Sequence, residues 1–243
     1  MPEQLWFTEI LNHLFAGPVT ALLRALSIEP KYPAAPITNA LAMELLVFSF
    51  LLVLFLLVRS RLSVEDPRAL QHVFESVEGF VKNQSHEIIG HHSEGYTPFL
   101  VALLFFILSC NLIGVIPGFE SPTAVPVVPL GCALCAFTYY QTQGFKHAGI
   151  GYLRQFAGPV PALSPLMIPI ELISHLARVL SLTIRLTANM LAGDLVTLVF
   201  FSLVPIGLPI AFLGLHIGVS LLQTYIFVLL TTVYLQGAVS EEH

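Results

Sequence analysis

The sequence predicts an all-α integral membrane protein, and three observations carry that reading. Of 243 residues, 56% are hydrophobic and only 10% charged, with a mean hydropathy of +0.82. A soluble domain covers its surface with roughly 25% Asp, Glu, Lys and Arg, a share that 10 basic and 15 acidic residues cannot supply here. The apolar residues also fall into runs long enough to cross a hydrocarbon core roughly 30 Å thick, separated by segments with Pro and Gly. The chain is therefore solvated by lipid. It is expected to form about five transmembrane helices, the last two a long and strongly tilted hairpin, plus amphipathic interfacial helices.

Residues 1–36 read as an extracytoplasmic interfacial segment. Trp6, Phe7, Ile10, Leu11, Leu14 and Phe15 recur at helical spacing, and the periodicity stops around Glu29-Pro30 and Tyr32-Pro33. Met1 to Ile10 carries Glu3 and Glu9 and no Lys or Arg, unlike the basic start of a cleaved signal, so every apolar stretch counts as mature protein. The membrane domain is expected over 37–243. Its first span is about 37–58 and carries one carboxylate, Glu44, read as an interhelical partner or part of a water path. Residues 59–94 hold Arg59, Arg61, Glu65, Asp66, Arg68, Glu75, Glu78, Lys82 and Glu87 and read as an interfacial loop with an amphipathic stretch near Leu70 to Phe80. Span two covers about 98–116 and ends at Pro117-Gly118. Span three covers about 125–140, before Gln141-Thr142-Gln143-Gly144. A loop over Phe145 to Pro165 follows, in which Pro161 and Pro165, with Pro169 beyond, set the entry angle of the next helix. The last two runs, about 166–204 and 208–238, turn at 205–209. At 1.5 Å per residue each far exceeds the bilayer and must tilt or bend. No internal repeat is visible.

Basic residues orient the chain. Arg59, Arg61, Arg68 and Lys82 follow span one, Lys146 and Arg154 follow span three, and the opposite turns have none. The amino terminus is therefore expected outside and the carboxyl terminus, Ser240 to His243, in the cytoplasm. A net charge of −5 with scattered Lys and Arg argues against nucleic acid. Cys110, Cys132 and Cys135 lie in apolar runs and read as packing residues rather than a disulfide framework. His86-Glu87 with His91 and His92 resembles a metalloprotease motif only loosely. That motif needs two His four apart, and here Gly90 makes the spacing five, so no metal is expected.

The fourth run carries Glu171, Ser174, His175, Arg178, Arg185, Asn189 and Asp194 among Leu, Ile and Val. Ionisable groups at membrane depth each cost roughly 2.5–3.5 kcal/mol or more unless paired or wet, which makes them a functional-site hypothesis, with polar contact between helices as the alternative. At about 100° per residue, Glu171, His175, Arg178, Arg185 and Asn189 share a stripe, and Asp194 points to another face. The fifth run offers His216 and Gln223 on one side, with Gly214 and Gly218 spaced for close helix approach. Counting from the 205–209 turn puts Asp194 level with His216 and Arg185 level with Gln223. Two offset polar pockets result, with an always-charged guanidinium between them.

The run from Glu171 through Ser174, His175, Arg178, Arg185, Asn189 and Gly193 to Asp194 resembles the signature of subunit a of the bacterial F-type ATP synthase. His216, Gln223, Val233-Tyr234-Leu235 and Asn111 to Pro117 extend the likeness. The resemblance implies a stator ion-channel subunit of the Fo sector in the bacterial inner membrane. Arg185 would face a carboxylate on the ring of c subunits. Asn189, Asp194, His216 and Gln223 would line the outer half-channel, and Glu171, Ser174 and His175 the inner one. Partners would be the c-ring, b-type peripheral stalk subunits and the rest of F1Fo, with no cofactor and with nucleotide chemistry on other subunits. Two departures from the family pattern stand out: Asp194 where Glu is commoner, and Gly114 where some members have a carboxylate.

The role of the arginine has its own physical basis. A ring carboxyl in lipid stays protonated because desolvation penalises its charge, and it ionises only where water or a cation compensates. At about 4 Å and an effective dielectric near 20, a guanidinium contributes roughly 4 kcal/mol. The same charge repels a cation passing straight between the pockets. Lys would substitute poorly because burial can neutralise it. One elementary charge crossing 100 mV supplies only about 2.3 kcal/mol, so several steps must accumulate mechanically. A proton-coupled secondary transporter is the competing reading, since it too places ionisable groups near the midplane, though no repeat symmetry accompanies them.

Overall fold

The structure is a computed structural model that describes residues 5–25, 32, 35–60, 62–63, 69–90, 93–116, 118–149, 152, 164–203 and 208–239. These residues form seven α-helices and two short 3-10 turns, with no strand among them. The helices are α1 (Trp6–Ala25), α2 (Asn39–Ser60), α3 (Ala69–Ile89), α4 (Thr97–Ile113), α5 (Val127–Ala148), α6 (Ser164–Leu203) and α7 (Leu208–Val239). Three of them, α2, α6 and α7, are long and apolar enough to cross a membrane, and α4 is a shorter apolar helix. The protein is thus an all-α membrane protein.

Helices α4 to α7 share one core. Leu103 and Ile107 from α4 meet Cys132, Ala133 and Ala136 from α5, Val179, Leu182, Leu186 and Met190 from α6, and Phe227 from α7. The small residues of α5 are what allow backbones to approach where lipid supplies no hydrophobic drive between helices. Helix α2 adds to α4 through Met43, Val47 and Leu51 against Cys110 and Ile113. Its other face leaves Phe48, Phe50, Leu52, Leu56 and Leu57 exposed, an apolar surface that only lipid or another apolar partner can cover. Helix α1 is tied to the start of α2 by Asn12, whose amide exchanges two 3.0 Å hydrogen bonds with the Ile37 backbone.

The structure corrects several expected boundaries. The first helix is longer than its apolar periodicity and runs through Pro18 to Ala25. Within the expected 59–94 loop, Ala69–Ile89 is a 21-residue helix. It docks on α4 and α7 through Val81, Leu100 and Val228 and through the Gln84 amide, which donates to the Tyr225 hydroxyl at 2.6 Å. Its many charges suggested a loop, but they lie on the outward side of an amphipathic helix. Arg61, Glu65, Asp66, Arg68, His91, His92, Arg154, Pro161 and the 205–207 turn lie outside the described residues. Helix α5 does not stop at residue 140 but continues to Ala148. Its Gln and Thr residues can stay helical once outside an apolar medium, and Tyr152 packs back so closely that a Cβ on Gly144 would lie 2.6 Å from its ring. Pro165 sits at the start of α6 and Pro169 inside it. All three cysteines are free thiols.

Candidate functional site

Helices α6 and α7 run antiparallel, so residues late in α6 meet residues early in α7. Met190 faces Ser220, and the Asn189 amide donates to the Gln223 side-chain oxygen at 2.7 Å. This corrects the expectation that Arg185 is level with Gln223: the partner is Asn189, one turn further along. Asp194 and His216 do come together, with Oδ1 3.7 Å from Nε2 and the imidazole buried. Gly193 makes the contact possible, because a Cβ there would lie 2.8 Å from His216 Nδ1. Gly214 and Gly218, expected to bring the helices together, face open space within this chain. The close approach instead places a bare backbone on α6 against an imidazole on α7.

A cavity of about 230 Å³ adjoins this pair, lined among others by Asn189, Gly193, Thr197, Phe212 and His216. His216 Nε2 and Thr197 Oγ1 are buried there without a hydrogen-bond partner. Buried polar atoms of this kind are normally satisfied; the rest of the cavity wall, with Met190, Val196, Leu215 and Val219, is apolar, so these few polar atoms are the points at which a water could be held.

The other end of α6 carries a second polar cluster. Glu171 Oε1 lies 3.5 Å from His175 Nε2 and 3.7 Å from Arg178 Nη2. The opposite ring nitrogen of His175 is 3.1 Å from the Tyr140 hydroxyl on α5. The Arg178 guanidinium lies 5.3 Å from the Tyr234 ring centroid on α7, a favourable cation–π placement. Mutual pairing offsets the cost of placing these charges beside apolar helices. Ser174 is half-buried in the same turn. Tyr140 was not singled out in the sequence, where the Tyr139-Tyr140 pair at the polar end of a span was its signal, and Tyr234 entered only through the family resemblance of Val233-Tyr234-Leu235.

Arg185 stands between the clusters. It is half-buried, it donates to Ser181 Oγ at 3.3 Å, and no carboxylate among the described residues lies within ion-pair distance. Around the helix it flanks the open apolar face of Leu180, Ile184 and Leu191, each exposed. An always-charged group beside exposed leucine and isoleucine is poised for a charge supplied by another molecule.

A buried polar network that sequence reading missed supports the Asn189–Gln223 level. Asn111 on α4 donates to Thr224 Oγ1 at 3.0 Å and accepts from Thr123 at 2.6 Å, and Ser121 bonds Thr123 at 2.9 Å. The turn that carries Ser121 also explains Gly114. A Cβ at that position would lie 2.8 Å from Ser121 Cβ, so no carboxylate side chain has room there.

Comparison with known proteins finds relatives along the whole chain. Residues 41–236 match the family described as ATP synthase A chain. The chain is 55% identical to ATP synthase subunit a of Koribacter versatilis (strain Ellin345) over 244 residues, covering 100% of both chains. It is 52% identical to ATP synthase subunit a of Solibacter usitatus (strain Ellin6076), over 96% of this chain and 100% of that one. A subunit from Pelobacter propionicus, ATP synthase subunit a 1, is 39% identical over 89% and 94%. With its polar string lying on one long helix hairpin and its whole length shared with such relatives, the chain belongs to the ATP synthase A chain family.

Proposed function

We propose that this chain is the stator ion-channel subunit of the membrane Fo sector, passing protons through two offset half-channels to and from a carboxylate on a rotating c-ring. Family membership sets aside the secondary-transporter reading. The observation that carries the proposal is Arg185: a guanidinium with no ion pair among the described residues, beside an open apolar helix face, with a polar cluster on each side of it along α6. Glu171 lies about 21 Å along the helix axis in one direction, and Asp194 about 14 Å in the other.

Each site residue then takes a role. Arg185 compensates the ring carboxylate when it ionises and blocks direct passage between the half-channels. Asn189, Gln223, Asp194 and His216 line the outer half-channel, beside the adjoining cavity that Asn189 and His216 also line. Glu171, Ser174 and His175 line the inner one. The chain makes and breaks no bond of ATP; it moves protons, and nucleotide chemistry belongs to other subunits. It works within F1Fo, beside c subunits and b-type stalk subunits, in the bacterial inner membrane. Residues 1–36 lie outside, residues 37–243 form the ion-channel domain, and the carboxyl terminus is cytoplasmic.

The test is Arg185→Ala in the assembled complex, reconstituted into vesicles. ATP synthesis driven by an imposed proton gradient should be abolished while the complex still assembles with its small c-type proteolipid. Synthesis at the parent rate would overturn the assignment.

A further inference from the structure

Tyr140 sits on α5 across from Glu171 and His175, and its packing would be satisfied equally by phenylalanine. The residue is 2% exposed, and its ring lies beside Phe137 and Tyr234. It also faces the His175 imidazole, with ring centroids 6.1 Å apart and planes 26° apart. None of those contacts needs an oxygen. Yet the hydroxyl reaches His175 Nδ1 at 3.1 Å, and the other nitrogen, Nε2, lies 3.5 Å from Glu171 Oε1. One imidazole thus has a hydroxyl on one side and a carboxylate on the other.

A hydroxyl is suited to this position because its oxygen accepts. It accepts from Nδ1–H both in the neutral tautomer, whose Nε2 is bare, and in the imidazolium, so Nε2 is the nitrogen that gains and loses the proton. In either state Nε2 stays aimed at Glu171, as an engaged second nitrogen orients a metal-bound or catalytic imidazole. Other groups among the described residues also face His175. On its own helix they are Glu171 and Arg178. Tyr140 and Phe137 face it from α5. Tyr234 on α7 adjoins Tyr140 and Arg178, and the Tyr140 oxygen, which can accept twice, is also engaged by the Arg178 guanidinium through a hydrogen bond and its charge, with Tyr152 acting electrostatically on it. Arg178 is a fixed charge. Imidazole is the side chain whose unperturbed charge changes between about pH 5 and 8.

We propose that Tyr140 is a positioning residue of the inner half-channel, holding His175 so that its Nε2 exchanges a proton with Glu171. The proposal rests on the reading of Glu171 as an inner half-channel group. In the step it describes, water delivers a proton to Nε2 of neutral His175, and Nδ1–H of the resulting imidazolium is held by the Tyr140 oxygen. The proton then passes from Nε2 to the Glu171 carboxylate. The ring returns to neutral, and the carboxyl releases the proton to the cytoplasm.

The experiment uses the whole complex in inverted vesicles and follows ATP-driven proton pumping across the range in which imidazole titrates. Tyr140→Phe should slow pumping about five- to tenfold, the size of one hydrogen bond, and move the midpoint of the pH profile by about half a unit or more. His175→Gln should flatten the profile, and adding Tyr140→Phe to it should change nothing further. A Tyr140→Phe profile that superimposes on the parent's, or that is scaled equally at every pH, overturns the proposal. So does a loss that multiplies with that of His175→Gln. If Tyr140→Phe does not assemble, an unaltered profile in His175→Gln overturns it instead. Arg185→Ala run alongside keeps the two readings apart: pumping by that variant defeats the stator reading, and its block beside an unaltered Tyr140→Phe profile defeats only the role of Tyr140.

Discussion

A Cβ on Gly193 would come within 2.8 Å of His216 Nδ1, so the missing side chain is what lets an imidazole lie against α6 beside Asp194. Forcing extra volume into a packed contact costs about 1–3 kcal/mol, and the ring is the part free to move. Gly193→Ala is therefore expected to lower proton-driven synthesis several-fold without preventing assembly, by turning His216 away from Asp194. Measuring Gly193→Ala, His216→Ala and the double variant checks this. The double should be no slower than His216→Ala alone, and losses that multiply would mean the imidazole had not moved. Arg185 differs in kind, because its importance lies in what it leaves unmade. Its one hydrogen bond among the described residues, to Ser181, is made at the edge of an exposed apolar face, which under the proposed function leaves its charge for an acid of another chain.

Among the helices, α3 and α6 depart furthest from what periodicity alone suggests. Helix α3 is anchored at its far end by Lys82, 3.0 Å from Glu94 in the 3-10 turn before α4. The hydrogen bond and the charge of Lys82 hold the Glu94 carboxyl below its usual range. A carboxyl lowered in the folded state favours that state above its ordinary titration range, and the contribution disappears as pH falls through the folded value. Lys82→Met should accordingly return Glu94 to the ordinary carboxylate range, read by carboxyl-carbon NMR of the labelled protein in detergent. An unmoved titration would show that Lys82 does not set it. Thermal stability should barely change, since both side chains are exposed. Helix α6 spans 40 residues, about 60 Å at 1.5 Å per residue and about twice a hydrocarbon core. It stays a single helix, so a strong tilt, rather than an interruption, is what fits it to the bilayer. A tilted helix also carries one polar stripe from near one surface to near the other, which lets two pockets on it be offset.

For the whole molecule, orientation decides which pocket faces which compartment. Glu78, Glu120 and Lys146 are exposed in the structure, on segments expected at opposite surfaces. With Cys110, Cys132 and Cys135 replaced, a single cysteine at 78 or 146 should react with a membrane-impermeant maleimide from the cytoplasmic side. One at 120 should react from the outside, and the reverse pattern would invert the roles of the two polar clusters. The bundle has one face built from α4 to α7 packing inward and another, on α6, left apolar and open with Arg185 at its edge. That asymmetry is what the proposed role, a stator pressed against a rotating neighbour, requires.

Composition and spacing along the chain were enough to determine the lipid-solvated helical class and the polar string from Glu171 to Asp194, and to bring out the family resemblance. These are local properties: a run is apolar, and a residue sits three or four positions from the next, whatever the rest of the chain does. Asp194 with His216 could even be matched by counting from a turn, because a helix rises evenly. Partners across the bundle were another matter. That Asn189 rather than Arg185 meets Gln223, that Tyr140 holds His175, that Gly193 rather than Gly214 or Gly218 makes the close contact, and that a charged 69–89 segment docks as a helix were decided only by the tertiary structure. Each depends on how far one helix is rotated and displaced against another, and that is set by side chains distant in sequence packing together.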